Sequence, residues 1–177
     1  MTASSLTRGA VTSLFIAANW PVADGERGEP FEVFDHPAAI AVAELDGLRV
    51  GHMGIRPGQT SGELLFGDRS LEHDDPRVAE WEALLQIRLV NIAEVDSGHA
   101  ALFMDGTGAC YWKSNVHDAF AFGGDSLQEF LEDVVVNRRR KAMLRPDQAS
   151  VSMYGLTITA KHPNAYDWRS RLPARRR

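Results

Sequence analysis

Three short segments of the chain place histidine close to carboxylates: His73-Asp74-Asp75, Asp96-x-x-His99 and His117-Asp118. Such groups can bind a metal ion or act as a general acid and base. No His-x-x-x-His spacing accompanies them, so the zinc-hydrolase pattern is missing. Helix caps and turns account for the aspartates, and we predict no catalytic residue, metal site or cofactor. The alternative is a small metal-dependent hydrolase that uses His73, Asp74, Asp75, His99 or His117.

Other reactive residue types also lack the setting that catalysis needs. The glycines show no Gly-x-x-x-x-Gly-Lys-Ser/Thr spacing, and Asp105-Gly106-Thr107-Gly108 is typical of a tight hairpin turn. No serine lies in a Gly-x-Ser-x-Gly elbow. Cys110 falls within a predicted strand and, as the only cysteine, cannot form an internal disulfide. We therefore expect a non-enzymatic protein of the reduced cytoplasm. The apolar run at residues 14–18 is too short for a signal peptide or a membrane span.

The charges divide the chain into two unequal parts. Residues 1–136 carry eight basic and 22 acidic side chains, a net charge of −14, whereas residues 137–177 carry 11 basic and two acidic side chains, a net charge of +9. A length of 177 residues suits one domain with an appendage. We predict a domain over residues 1–145 and a basic extension over 146–177 that is dispensable for folding. The basic runs at 138–141 and 175–177 leave nucleic-acid binding through the tail as a second alternative, although cations also favour helix C-termini.

Hydrophobic periodicity and capping residues predict the secondary structure. Helices are expected over residues 4–19, 38–45 and 76–88, with a fourth beginning at the capping box Ser126-x-x-Glu129. Strands are expected over 31–34, 48–55, 89–94, 100–104 and 109–112, and the last three form an antiparallel meander. Gly123-Gly124-Asp125 is expected to break the chain, and residues 151–160 have the composition of one further strand. Helices around an antiparallel meander indicate the α+β class.

Short apolar motifs follow one another in a characteristic order between residues 10 and 136. They are Ala18-Asn19-Trp20-Pro21, Ala43 to Leu48, Val78-Ala79-Glu80-Trp81, Arg88 to Glu94, Leu102 to Asp105 with Gly108 and Tyr111, and the Ser126-Leu127 helix start. This order resembles the third subfamily of the SUKH superfamily of bacterial immunity proteins. Asn19, Asp46 and Ala93 stand where that family has glycine, so the chain is similar to a divergent member. The resemblance implies a mixed, largely antiparallel sheet flanked by helices, in a protein that binds and neutralises a cognate toxin without catalysis.

The acidic body suggests where such a toxin would bind. Toxins that cut nucleic acid carry basic surfaces, and an inhibitor can match them with carboxylates. The predicted interface consists of Asp68, Glu72, Asp74, Asp75, Glu80 and Glu82, followed by Glu63 and Asp96. We expect a basic, nuclease-type protein partner, and neither nucleic acid nor a membrane. The alternative is that the excess of acid only maintains solubility.

Overall fold

The computed structural model describes residues 15, 18, 36–51, 63–67, 75–135, 140–153 and 155–172. The α-helices with described bounds are α1 (Pro37–Leu45), α2 (Pro76–Leu85) and α3 (Leu127–Val135), and a 3₁₀ helix spans Trp168–Arg171. The strands are β1 (Arg49–Val50), β2 (Leu64–Phe66), β3 (Leu89–Val95), β4 (Ala100–Asp105), β5 (Cys110–Ser114), β6 (Phe120–Gly124), β7 (Lys141–Met143), β8 (Ser150–Met153) and β9 (Leu156–Thr159). No helix within these ranges is both long and apolar enough to cross a bilayer.

Strands β1 to β7 form one sheet in which the order in space is the order in sequence. Every neighbouring pair is antiparallel, as in the register that places Leu102 opposite Trp112. A parallel bridge between Ala142 and Ala165 lies at the β7 edge. The predicted α+β class and the predicted meander are confirmed, and the described meander has seven strands.

Side chains on the two faces of the sheet enter two separate cores. One core contains α1, α3 and the β8–β9 hairpin, with Trp112 among its fully buried residues. The other contains α2 and the 3₁₀ helix, and its central sheet residue is Tyr111. Because both faces are covered, β4 and β5 are buried along their whole length. Their apolar residues, Ala100–Met104 in β4 and Cys110–Trp112 in β5, are therefore consecutive and do not alternate with polar ones.

Local capping groups set the helix ends. The Ser126 hydroxyl accepts a hydrogen bond from the Glu129 amide (3.2 Å), and the Glu129 carboxylate accepts one from the Asp125 amide (2.9 Å). This confirms the capping box, with one difference: the Glu129 carboxylate binds the amide of Asp125 and not that of Ser126. The prediction that α2 extends to residue 88 is wrong. The helix ends at Leu85 because Gln86 adopts a left-handed conformation with φ +57°.

The expected break at Gly123-Gly124-Asp125 is also wrong, because both glycines belong to β6. A Cβ atom on Gly123 would lie 2.6 Å from Cδ2 of the Phe130 ring. Glycine is therefore needed here because helix α3 packs directly on the strand. A pair of glycines is typical of a turn, and it is also found where a ring packs closely on a strand. The sequence alone does not distinguish these two cases.

The segment with strand composition at residues 151–160 is a hairpin. Its two strands are antiparallel, and the turn between them contains Gly155 at φ +75°. Val151 and Ile158 are buried in the first core, and Trp168 is buried in the second. The expected dispensability of residues 146–177 for folding is untested, but these contacts lead us to predict instead that their removal destabilises the protein.

Several predicted elements lie outside the described residues. These are the strand at 31–34, residues 52–55 of the next strand, and the first helix apart from residues 15 and 18. Phe15 is completely buried, and its ring centroid lies 6.1 Å from that of Phe66. At least this residue of the N-terminal segment therefore contributes to the core.

Candidate functional site

Most described members of the predicted acidic interface lie at one end of the sheet. Glu63 immediately precedes β2, Asp96 follows β3, and Asp75 contacts Lys113 near the end of β5. Because the strands are antiparallel and adjacent, these positions share one end, and β2 and β5 are about 14 Å apart. The structure thus places them in two neighbouring groups. Asp68, Glu72 and Asp74 lie outside the described residues.

Asp75 forms the N-cap of α2 and is also part of an ion-pair cluster. Its Oδ1 atom accepts a hydrogen bond from the Arg77 amide (2.9 Å), and its Oδ2 atom accepts one from Arg77 Nη2 (2.8 Å). The buried Lys113 ammonium is 2.5 Å from the same Oδ2 atom. Hydrogen bonds from Arg77, together with Lys113, hold the pKa of Asp75 well below its usual range. The cap is confirmed, and two cations offset this carboxylate's charge.

Arg145, from the segment after β7, connects three acidic side chains. Its guanidinium binds Asp118 through two hydrogen bonds, Nη1 to Oδ1 at 3.0 Å and Nη2 to Oδ2 at 2.9 Å. Its Nε atom lies 3.4 Å from both Glu80 Oε2 and Asp147 Oδ1. The Arg145 side chain is only 11% exposed, and its hydrogen bonds lower the pKa of Asp118. A cation of the basic segment 137–177 therefore partly compensates the charge of the acidic residues before it.

Glu63 and Asp96 hold the β3–β4 turn against the start of β2. Glu63 is buried, and its carboxylate accepts hydrogen bonds from Arg49 Nη1 (2.6 Å) and Ser97 Oγ (3.2 Å). The Asp96 amide donates to the Glu63 carbonyl (2.8 Å), and Asp96 Oδ1 accepts from the Glu63 amide (3.3 Å). Both acids thus have structural partners in the turn.

Glu82 is far from this end of the sheet. Its Oε1 atom accepts a hydrogen bond from the Leu89 amide at 2.7 Å, and Leu89 is the first residue of β3, at the opposite end from Asp96. The side chain satisfies a backbone amide just beyond the end of α2. The structure therefore does not bring Glu82 together with Asp75.

The hydrolase alternative depends on whether carboxylates and imidazoles converge. Within the described ranges, no group of three or more histidine, cysteine, aspartate or glutamate side chains could hold a metal ion. His73 and Asp74 lie outside those ranges. Cys110 is completely buried, and burial raises the pKa of its thiol, which opposes formation of a nucleophilic thiolate.

Arginines from the described part of the basic segment 137–177 pack against the acidic part of the chain. The Arg140 guanidinium lies over the Trp112 ring at 5.1 Å. Arg171 lies over the Phe122 ring at 4.6 Å and pairs with Asp125, with an Nη1–Oδ1 distance of 2.6 Å. The excess of cations in the tail is visible in the sequence. The groups that these cations contact could not be predicted from the sequence, because they lie tens of residues away along the chain.

A seven-stranded antiparallel meander with helices on both faces is thus the setting of these charged groups. The model of the SUKH-3 immunity protein family matches residues 18–137, about two thirds of the chain. The chain belongs to this family. Searches of curated proteins and of solved structures found no match. Arg145 and Arg171 lie beyond the segment that the family model covers.

Proposed function

We propose that this protein is a cytoplasmic immunity protein that binds and neutralises a cognate toxin of a polymorphic toxin system, with no catalysis of its own. The observation that carries the proposal is membership of the SUKH-3 immunity protein family over residues 18–137. The α+β fold agrees with it. The net charge of −14 over residues 1–136 supports a basic, nuclease-type toxin, because nucleases hold phosphates with cations.

Growth protection tests this function. The gene next to this one is the first source of a candidate toxin, which is expressed in a bacterial host with and without the immunity protein. We expect expression of the toxin alone to stop growth and co-expression to restore it. The purified proteins should also form a complex. Failure of every adjacent toxin candidate to bind would contradict the proposal.

We further propose that the predicted acidic residues supply the electrostatic part of the interface. These acidic residues differ in side-chain exposure and in their contacts within the chain. Glu80 is the most accessible member with a described side chain, at 47% exposure, although it pairs with Arg145. Asp75, Glu82, Glu63 and Asp96 bind amides or cations of this chain, so they shape the surface more than they add free charge.

Charge reversal distinguishes an interface from general acidity. The variant with Glu72, Asp74 and Glu80 changed to lysine leaves the Asp75 cap and the Glu82 hydrogen bond intact. We expect it to associate with the toxin roughly ten times more slowly at low salt, with a smaller difference as ionic strength rises. Glu80→Lys alone should slow association more than its matched control Glu132→Lys, which makes the same charge change on α3. Equal rates for both single variants would leave the acidity as a solubility device.

The alternative of nucleic-acid binding through the tail predicts retention on DNA or RNA that decreases with salt. Several tail cations already have partners within the protein, including Arg145 on Asp118 and Arg171 on Asp125. We therefore expect weak binding at most. Strong, salt-sensitive retention would favour this alternative over toxin binding.

A further inference from the structure

Arg145 is a nearly buried cation that lies beneath carboxylates facing solvent. Its side chain is 11% exposed, whereas those of Glu80, Asp118 and Asp147 are 47%, 56% and 70% exposed. Burying a charged guanidinium costs free energy unless acceptor groups replace the water around it. The carboxylates supply that replacement, and the position of Arg145 in turn constrains where they lie.

The turn that carries Arg145 is closed by hydrogen bonds. The Arg145 amide donates to Gln148 Oε1 (3.0 Å), and the Gln148 amide donates to the Arg145 carbonyl (3.1 Å). Gln148 Nε2 also donates to the Asp118 carboxylate (3.0 Å). Together with the two guanidinium hydrogen bonds to Asp118, these contacts attach the segment after β7 to the loop between β5 and β6. The guanidinium is thus oriented before any partner binds.

Asp118 and Glu80 interact with this guanidinium in different ways. Asp118 accepts hydrogen bonds from both Nη atoms, so its charge is compensated and it serves as the anchor of Arg145. Glu80 faces the remaining Nε atom at 3.4 Å, and within the described ranges the Glu80 side chain makes no hydrogen bond. Its oxygens therefore keep the capacity to accept hydrogen bonds from a partner, while the ion pair restricts the rotation of the side chain.

We infer that Arg145 is a positioning residue of the toxin interface, which acts by holding Glu80 in the orientation that the toxin contacts. This inference rests on the proposed function and on the place of Glu80 in the interface. A side chain that is already ordered loses less conformational entropy when the complex forms. Arg145 thereby favours binding to a basic toxin, which is the opposite of what its charge alone would do. It lies beyond residues 18–137, which the family model matches.

The test compares Arg145→Gln with Arg171→Gln in rate measurements on a catalytically inactive form of the adjacent toxin. Arg171 is the matched control, because it lies in the same basic segment and pairs with an exposed aspartate, Asp125. Both substitutions remove one positive charge, so both variants should associate at low salt as fast as wild type or faster. Only Arg145→Gln should dissociate faster, and it should bind roughly 3- to 10-fold more weakly, as expected for ordering one free side chain on binding.

Two further variants show whether Arg145 acts through Glu80. Arg145→Lys keeps the charge but cannot reproduce the paired hydrogen bonds to Asp118, and should bind about threefold more weakly than wild type. In a protein that already carries Glu80→Ala, Arg145→Gln should change the affinity by less than about twofold, because the side chain that it positions is absent. The same loss with and without Glu80 would overturn the inference.

The outcomes separate this inference from the proposed function. If the wild-type protein binds the toxin and Arg145→Gln binds equally well or more tightly, positioning by Arg145 is excluded while the immunity function stands. An equal loss of affinity in Arg171→Gln would also overturn the inference, because Arg171 does not contact Glu80. If the wild-type protein binds no adjacent toxin, both proposals fail. Thermal unfolding shows which variants are folded, and if Arg145→Gln is not, Arg145→Lys takes its place in both comparisons.

Discussion

Replacing Trp168 by alanine tests whether the C-terminal extension is part of the folding unit. Trp168 is 5% exposed and meets the Trp81 ring edge to face, with ring centroids 5.8 Å apart. Its Nε1 atom donates a hydrogen bond to the Leu144 carbonyl at 2.7 Å. The substitution removes a buried ring from the second core and leaves that carbonyl without this donor.

The expected cost follows from these contacts. Replacing a buried tryptophan by alanine costs about 3 to 5 kcal/mol, a large part of the stability of an ordinary domain. For a chain of this size, 1 kcal/mol corresponds to about 2 to 4 °C in Tm, so the loss should be roughly 6 to 20 °C. Deleting residues 146–177 should cost at least as much, because it also removes the buried Val151 and Ile158.

Thermal unfolding followed by circular dichroism, with urea unfolding at 25 °C, measures the effect. Trp168→Phe keeps an aromatic ring but loses the hydrogen bond, and should cost about 1 to 2 kcal/mol. Lys161→Ala, at an exposed position of the same segment, is the matched control and should change Tm little. A Tm within about 2 °C of wild type for Trp168→Ala and for the truncation would refute this reasoning. The division at residue 145 would then hold.

Two further predictions concern local structure. Burial lowers the pKa of His36 from 6.5, and its Nδ1 atom caps α1 by accepting a hydrogen bond from the Ala38 amide (3.2 Å). The neutral form of His36 is therefore favoured in the folded state. Its contribution to the free energy of unfolding is complete above pH 6.5 and is lost as the pH falls through the folded-state pKa of His36. In urea titrations at pH 7.5 and 5, His36→Asn should show a smaller pH dependence than wild type, and an equal dependence would contradict the assignment. Gly67→Ala should cost about 2 kcal/mol or more, because φ is +79° and the new Cβ would collide with the Asp46 carboxylate, whereas Gly106→Ala faces open space and should cost less. Similar urea midpoints for these two variants would disprove the clash.

Much of the local structure could be predicted from the sequence, because the groups that decide it are close in the chain. Helix α3 follows from apolar residues at helical spacing and from a capping box in which Ser126 and Glu129 are three residues apart. The β4–β5 hairpin follows from Asp105, whose carboxylate accepts hydrogen bonds from the amides of Thr107 (2.8 Å) and Ala109 (3.1 Å). The family resemblance, which depends on the order of such elements, could be recognised for the same reason.

The sequence was less informative where a residue's role depends on a distant neighbour. Gly123 lies in a strand, and position 123 needs glycine because the Phe130 ring packs against it. This contact exists only once α3 has folded onto the sheet. The acidic candidates show the same limit. Their number and density are properties of the sequence, but Glu82 lies at one end of β3 and Asp96 at the other.

The amino-acid sequence by itself thus determined the class of the fold, the helix caps and the unequal division of charge between body and tail. Only the tertiary structure decided how that charge is used. Glu80 and Arg145 are 65 positions apart, yet they come within 3.4 Å because the meander places the segment after β7 beside α2. Electrostatic attraction depends on distance in space, and the packing of the sheet, not the order of the residues, sets that distance.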